Sequence, residues 1–300
     1  MNPSNKKILG FIIPNLIILS IIGNNKMLNP SSGGVLVFSE FVILPMLMGI
    51  MSAWFWKDYK LTNKTLIWNS ILNGFIAILL SYFFLGEGTI CLIIVSPLIF
   101  AFVVTGAFIG KVMFKRRDQK MNISFVSLLL FIFIADSVSD HHYENMVSDE
   151  IVIKATPDKI WKNVVAFEKI KQPNQYWLFK LGMPSPMQTT VTANKLGAGR
   201  KCIFSNGYTF DEKIVAFEVN KNLTFDIVNQ PQDPEIMGHI DIDKGQFILK
   251  DNGDGTTTLI GNSWYKLHVF PIWYYDIWAE SITRNVHLRV MDHIKLLSEK

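Results

Sequence analysis

Two patterns of hydrophobic positions divide the chain near residue 138. Before it, apolar residues come in continuous runs: Ile8 to Gly23, Val35 to Trp56, Leu66 to Leu85, Ile90 to Phe114 and Ile123 to Val138. Crossing a bilayer core takes about 20 apolar residues, with roughly 17 as the practical minimum. The runs therefore predict an all-α transmembrane bundle of about five helices over residues 1–138, the first and last being the shortest. After the break the runs are short and alternating, the period of half-buried strands. They cover Glu150 to Ala155, Thr189 to Ala193, Arg200 to Ser205, Tyr208 to Phe217, Leu223 to Val228, His239 to Leu249 and Thr256 to Val269.

Turn chemistry and helix signals order these strands. Gly197 and Gly199, Asn206-Gly207, Asn220 to Asn222 and Asn252-Gly-Asp-Gly255 separate them by distances that suit antiparallel hairpins and leave no room for crossover helices. Thr156-Pro157 pairs an N-cap hydroxyl with a first-turn proline, and the pairs Ile160 with Val164 and Trp161 with Val165 predict a short amphipathic helix after it. After Pro271, Trp278, Ile282, Val286, Val290, Ile294 and Leu297 recur at three or four residues, the stripe of one long helix. Residues 149–300 thus read as a second, α+β domain: strand, helix, a meander of about six strands and a long C-terminal helix. Residues 139–148 read as a linker.

Composition agrees with this division. Hydrophobic residues make up 49% of the 300 and charged residues 18%, and most of the charge falls in the second half. The net charge of +4 is small and comes largely from loops between apolar runs, which excludes a basic nucleic-acid surface. With five crossings, Lys6, Lys7, Lys57, Lys60, Lys64, Lys115, Arg116, Arg117 and Lys120 share one side, against Lys26 on the other. Lys and Arg near span ends stay cytoplasmic. That bias predicts a multi-pass protein of the cytoplasmic membrane with its N-terminus inside and residues after 138 outside. Ile21 and Gly23 make a poor cleavage site, so the first run is expected to be a retained helix, kinked at Pro14. Cys91 and Cys202 lie in different halves and are expected to remain thiols.

Polar residues inside spans mark either function or helix–helix hydrogen bonding. Glu40, Asp136, Asn15, Asn69 and Asn73 are such residues; for Glu40 and Asp136, at similar outer-leaflet depth, snorkelling or hydrogen bonding between helices is the reading adopted, with a shared polar site as the alternative. Asp140, His141, His142 and Glu144 are metal-ligand types, but adjacent histidines point in different directions and no matching group stands elsewhere. A solvated linker is expected there, with no metal and no cofactor.

The order of elements, with particular residues, resembles the START-like superfamily, also called SRPBCC, over about residues 149–299. The matching stretches are Ile151-Val-Ile-Lys-Ala-Thr-Pro-Asp-Lys-Ile-Trp161, Gly199-Arg-Lys-Cys-Ile-Phe-Ser205 with Gly207 and Glu212-Lys-Ile214, and Gly255-Thr-Thr-Thr-Leu-Ile-Gly261 with Tyr265, ahead of the terminal helix. The resemblance implies a helix-grip fold: a curved antiparallel sheet around a long C-terminal helix, enclosing a cavity for an apolar ligand. The polyketide cyclase and dehydrase-like and lipid-transfer proteins belong to the same superfamily.

Strand alternation then selects inward side chains. Tyr208, Phe210, Glu212 and Ile214 share one face, and Leu259, Gly261, Ser263, Tyr265 and Leu267 another. With Trp278 and Ile282 from the helix, the expected ligand lining is Tyr208, Phe210, Glu212, Leu259, Ser263, Tyr265, Trp278 and Ile282. Glu212 is the one candidate acid or base, with a tyrosine beside it; pairing with Arg200 is its structural alternative. His268, His287 and His293 are assigned no role, and no Ser-His-Asp or Cys-His arrangement can be placed from spacing. The function expected is a membrane-anchored domain that binds or transfers a lipid or other hydrophobic small molecule. A cyclase- or dehydrase-like enzyme using Glu212, and a ligand sensor acting through the bundle, are the alternatives; the balance leans away from an enzyme.

Overall fold

The computed structural model describes residues 3–28, 39–59, 61–115, 127, 131, 143–231 and 239–300. The chain forms two compact units, a helical one in the N-terminal half and a sheet-containing one that begins with the first strand.

In the helical unit α1 spans Pro3–Leu28, α2 Leu44–Trp56, α3 Asn63–Leu80 and α4 Thr89–Lys115. Wider turns, Ser39–Ile43 and Ser81–Leu85, precede α2 and extend α3. Among the described residues three stretches, Asn5–Asn24, Asn63–Leu85 and Thr89–Phe114, are long and apolar enough to cross a membrane, not the five expected. The second expected span contains only a shorter apolar helix, Phe41–Trp56. The fifth, 123–138, lies outside the described residues except at Ser127 and Phe131, and Asp136 lies outside them with it.

The helices alternate in direction, and this can be read from their ends. Lys6 at the start of α1 pairs with Asp58 beyond α2, and the Trp56 indole N–H donates to the Lys7 carbonyl at 3.1 Å. Lys111 near the end of α4 donates to the Leu61 carbonyl and to Asn63 Oδ1 at the start of α3, at 3.0 and 2.8 Å. One end of the unit therefore gathers Lys6, Lys57 and Lys111.

Between helices, two devices hold the unit together. Asn15 of α1 donates to Asn73 of α3, and Asn73 donates in turn to Ser52 Oγ of α2 at 2.7 Å. Asn15, Asn73 and Ser52 are thus linked across three helices, whereas Asn69 Nδ2 and Ser70 Oγ are buried without a hydrogen-bond partner among the described residues. The second device is absence of side chain. A Cβ on Gly49 would sit 2.1 Å from the Val103 carbonyl oxygen, and one on Gly106 would sit 2.0 Å from that of Met46. Backbones of α2 and α4 meet directly there, and Gly106 with Gly110 repeats the small residue one turn apart on the contact face.

The second unit is one seven-stranded antiparallel sheet in the order β1-β7-β6-β5-β4-β3-β2. Its strands are β1 (Tyr143–Ile153), β2 (Pro186–Val191), β3 (Gly199–Phe204), β4 (Thr209–Glu218), β5 (Asn222–Asn229), β6 (Ile240–Asp251) and β7 (Thr257–Leu267). Two short helices, α5 (Pro157–Val165) and α6 (Trp177–Lys180), lie between β1 and β2, and α7 (Ile272–Ser298) ends the chain. This is the helix-grip order: a meander whose last strand pairs with its first, and a terminal helix packed on β1 and β7.

Strand β1 starts at Tyr143, so residues 143–148, expected to be linker, are paired with β7, from Tyr143 opposite Leu267 to Ser148 opposite Asn262. Asp140, His141 and His142 lie outside the described residues, whereas Glu144 is exposed and pairs with Lys266 at 3.4 Å. The strand was hidden because two of its inward positions, Asn145 and Asp149, are polar and break the apolar alternation on which strand recognition rests.

The dry core lies at one end of the sheet. Ile153, Ile160, Val164, Ile214, Leu223, Leu259, Met291 and Ile294 are essentially inaccessible to solvent, each worth about 1.5–3 kcal/mol when fully buried. On α7 the buried stripe differs from the expected one. Val290 and Ile294 are buried as expected, but nearer the helix start the stripe runs Tyr275, Ala279, Thr283, His287 and Met291, while Trp278, Ile282 and Val286 are half-buried beside it. Small and hydrogen-bonding residues face the sheet because the helix comes close to it: a Cβ on Gly261 of β7 would lie 2.9 Å from Met291 Sδ.

Replacing Gly106 by leucine should separate α2 from α4. Overpacking of this kind costs about 1–3 kcal/mol or more, and the thermal midpoint of the purified protein in detergent should fall, with no comparable fall for Ile17→Leu on the exposed side of α1.

Candidate functional site

Moving along β1, β7 and α7 away from the dry core, the inner faces of all three elements turn polar at the same level. On β7 the inward series Leu259, Gly261, Ser263, Tyr265 carries it; on β1 it is Ile151, Asp149, Val147, Asn145; on α7 it is Val290 and Met291, then His287, Thr283 and Asp276. Antiparallel register places Val147 opposite Ser263 and Asn145 opposite Tyr265, which brings the polar side chains of the two strands beneath one face of the helix.

The first polar layer is a chain of three side chains. Ser263 Oγ lies 2.7 Å from His287 Nε2, and His287 Nδ1 lies 2.9 Å from Asp149 Oδ2. A carboxylate only accepts, so Nδ1 carries the proton towards Asp149; in the neutral imidazole Nε2 is then bare and accepts from the Ser263 hydroxyl. Arg284 donates through Nε to the other Asp149 oxygen at 2.9 Å and through Nη2 to Glu280 at 3.3 Å. His287 and Asp149 side chains are 6% and 9% exposed, and Ser263 is half-buried. Burial holds the His287 imidazole below its ordinary pKa, against the pull of the Asp149 carboxylate.

The second layer centres on Asp276. Tyr265 donates its hydroxyl proton to Asp276 Oδ1 at 2.7 Å, and Asn145 Nδ2 donates to Asp276 Oδ1 at 3.0 Å and to the Tyr265 oxygen at 3.3 Å. Burial, with the neighbouring Asp276 carboxylate, holds the Tyr265 phenol protonated far above neutral pH.

This geometry supplies a Ser-His-Asp arrangement that could not be placed from spacing. Its three members come from β7, α7 and β1, separated by 24 residues between Ser263 and His287 and 138 between His287 and Asp149. Spacing along the chain carries no trace of such an arrangement. The available signal was weaker: Asp149 and Ser263 each stand at an inward strand position, and His287 one turn before the Met291 that packs on Gly261.

The other expected site residues are spread out. Leu259 is in the dry core. Glu212 is buried and bound to Arg200, whose Nε also donates to the Val165 carbonyl at 3.1 Å and whose guanidinium lies 4.5 Å from the centre of the Phe225 ring. Burial pushes the Glu212 carboxyl up and the Arg200 charge pulls it back. The structural alternative for Glu212 is therefore the one present. Phe210 stacks with Phe204 at 5.2 Å, and Tyr208 is 40% exposed just before β4. Trp278 and Ile282 stand beside the buried stripe of α7, and Trp278 meets Trp177 at 6.2 Å. Cys91 and Cys202 form no disulfide. Desolvation, helped by the Glu212 charge, pushes the Cys202 thiol up to about 12, so it is no thiolate nucleophile at neutral pH.

His293, the second buried histidine of α7, serves packing. Its Nε2 faces the Glu168 carbonyl at 3.0 Å and its Nδ1 faces Gln172 Oε1 at 3.1 Å, which ties α7 to the segment after α5.

No protein-family model matches the sequence, and no curated protein matches it. Solved structures do align with about half of it. Truncated norcoclaurine synthase from Thalictrum flavum is 12% identical, with 53% of this chain and 96% of that one aligned and a TM-score of 0.37. A protein from Mesorhizobium loti is 18% identical over 51% of this chain and 96% of its own, with a TM-score of 0.35. One from Nitrosospira multiformis is 14% identical over 51% and 96%, also with a TM-score of 0.35.

Two outcomes test the site's electrostatics. His287 and His293 are both held below the ordinary imidazole pKa by desolvation. Unfolding lets each bind a proton more readily, so their contribution to stability is full above about pH 6.5 and is lost as pH falls through that value towards the depressed folded one. Denaturant midpoints between pH 8 and 5 should decline over that window, and less steeply in His287→Gln. Arg200→Met, which leaves Glu212 buried without its partner, should destabilise by about 3–5 kcal/mol, whereas Arg200→Met with Glu212→Leu should recover most of the loss.

Proposed function

We propose that residues 143–300 hold a hydrophobic small molecule or lipid by its polar group, in a protein anchored in the cytoplasmic membrane by its N-terminal helices. The observation that carries this reading is the joint change from apolar to polar along β1, β7 and α7. An interior with a dry apolar core beside a hydrogen-bonding layer matches an amphiphile, because binding sites for such molecules are mostly apolar with a few fixed polar groups. Ser263, Tyr265 and Asp276 would meet the polar group, and Phe210, Trp278 and Ile282 the apolar part. The START-like resemblance of residues 149–299 supports the same reading.

Anchoring is supported by the three helices long and apolar enough to span a bilayer and by their composition. The alternating helices gather Lys6, Lys57 and Lys111 at one end, which by the bias of basic residues is the cytoplasmic one. If residues 123–138 cross, the ligand domain lies outside the cytoplasm.

Glu212 as the acid or base of a cyclase or dehydrase has less support, since Arg200 occupies its carboxylate. The chain purified in mild detergent should release an amphiphile detectable by mass spectrometry. Tyr265→Phe combined with Asp276→Asn should weaken its rebinding about tenfold or more, equivalent to about 1.4 kcal/mol, whereas Glu212→Gln should not. A preparation that releases nothing amphiphilic and rebinds no fatty acid or phospholipid overturns the reading. For the topology, a reporter fused after Lys300 should be active only outside the cytoplasm.

A further inference from the structure

The ligand reading leaves one arrangement unused. A hydroxyl that merely orients a polar group needs no imidazole behind it, and an imidazole that merely fills space needs no carboxylate. Here the three are joined in series, Ser263 to His287 at 2.7 Å and His287 to Asp149 at 2.9 Å. The polarity of both bonds is set by chemistry: Asp149 takes the Nδ1 proton, which leaves Nε2 as the base facing the Ser263 O–H. The base and its orienting carboxylate are buried, whereas Ser263 is only half-buried, at an inward position of β7. Gly261, one inward position away, lets α7 close on β7 and seats the imidazole, its Cγ 3.8 Å from where a Cβ would stand.

We propose that Ser263 is a nucleophile for acyl transfer from carboxylic esters with an apolar acyl chain, with His287 as its general base and Asp149 as a positioning residue. The Ser263 Oγ bonds to the ester carbonyl carbon as its proton passes to His287 Nε2. The carbonyl electron pair then returns, the ester C–O bond breaks, and the leaving alkoxide takes the proton from Nε2 and departs as an alcohol. Water repeats the sequence on the acylated serine, losing a proton to Nε2 and releasing a carboxylic acid and free Ser263. Only the preference for an apolar acyl chain rests on the ligand reading; the nucleophile does not.

The test uses the full chain in detergent with two phosphonofluoridates, one with a methyl and one with a dodecyl chain, and locates the adduct by peptide mass spectrometry. Ser263 should be phosphonylated by both, at least tenfold faster by the longer, and Ser263→Ala should show no adduct at that peptide. His287→Gln should slow labelling about a hundredfold. The groups facing His287 are Asp149 from β1, Ser263 from β7 and Arg284 on α7 itself. Asp149→Asn should therefore shift the acid limb of the labelling-rate profile to lower pH, which a purely structural role would not do. Absence of an adduct on Ser263 of the unaltered protein with both reagents overturns the proposal, even where fatty acid binds reversibly. An adduct with equal rates for the two chains, in a protein that binds no amphiphile, upholds the nucleophile and overturns the ligand reading.

Discussion

Helix α7 reaches β7 because Gly261 has no side chain. The methionine sulfur of Met291 occupies the space a Cβ would need, and the ring of His287 lies against it. That close approach constrains both surfaces. The helix must present its small and polar stripe, Tyr275, Ala279, Thr283 and His287, to the sheet, and the bulkier Trp278, Ile282 and Val286 move to its flank. The groups brought into the interior must then find partners there, since an unpaired buried polar atom costs about 1–3 kcal/mol. Ser263, Asp149, Tyr265 and Asn145 supply them from β7 and β1.

The same two devices organise the helical unit. Without a strong hydrophobic force between apolar helices in lipid, association rests on close packing and interhelical hydrogen bonds. Gly49, Gly106 and Gly110 allow α2 and α4 to touch through their backbones, and Asn15, Asn73 and Ser52 tie α1, α3 and α2 together. In both units glycine permits approach and polar side chains then specify the register. Hydrophobic residues alone would leave many helix rotations nearly equal in energy; a hydrogen bond at a named pair does not.

Buried charge is used in two ways in the sheet-containing unit. Arg200 and Glu212 neutralise one another between β3 and β4, with the guanidinium against the Phe225 ring. Asp149, by contrast, is shared between a buried imidazole and the half-exposed Arg284, so its charge is coupled both to solvent and to Ser263. The first pair is fixed locally, with the Val165 carbonyl accepting from Arg200 Nε. The second transmits a change in protonation along three elements, and that difference separates a structural carboxylate from one that can assist chemistry.

Much of the architecture is legible along the chain because it depends on local periodicity. Apolar runs near the length of a bilayer mark α1, α3 and α4; alternation with Gly and Asn turns marks β2 to β7; Thr156-Pro157 starts α5, and a stripe after Pro271 announces α7. Periodicity misleads where function or close packing replaces an apolar residue by a polar or small one. Asn145 and Asp149 disguised the first half of β1, and Thr283 and His287 disguised the buried face of α7. The same substitutions build the polar layers, so the least legible stretches are those that matter most to the site. Composition and spacing are enough for most of the elements, though not for α6 or the first half of β1, and for their order and a carboxylate at Glu212 with Arg200 as its alternative partner. The choice of that partner and the meeting of Ser263, His287 and Asp149 depended on β1 closing against β7 and on a helix lying over both, a coincidence of three distant segments that no one-dimensional pattern contains.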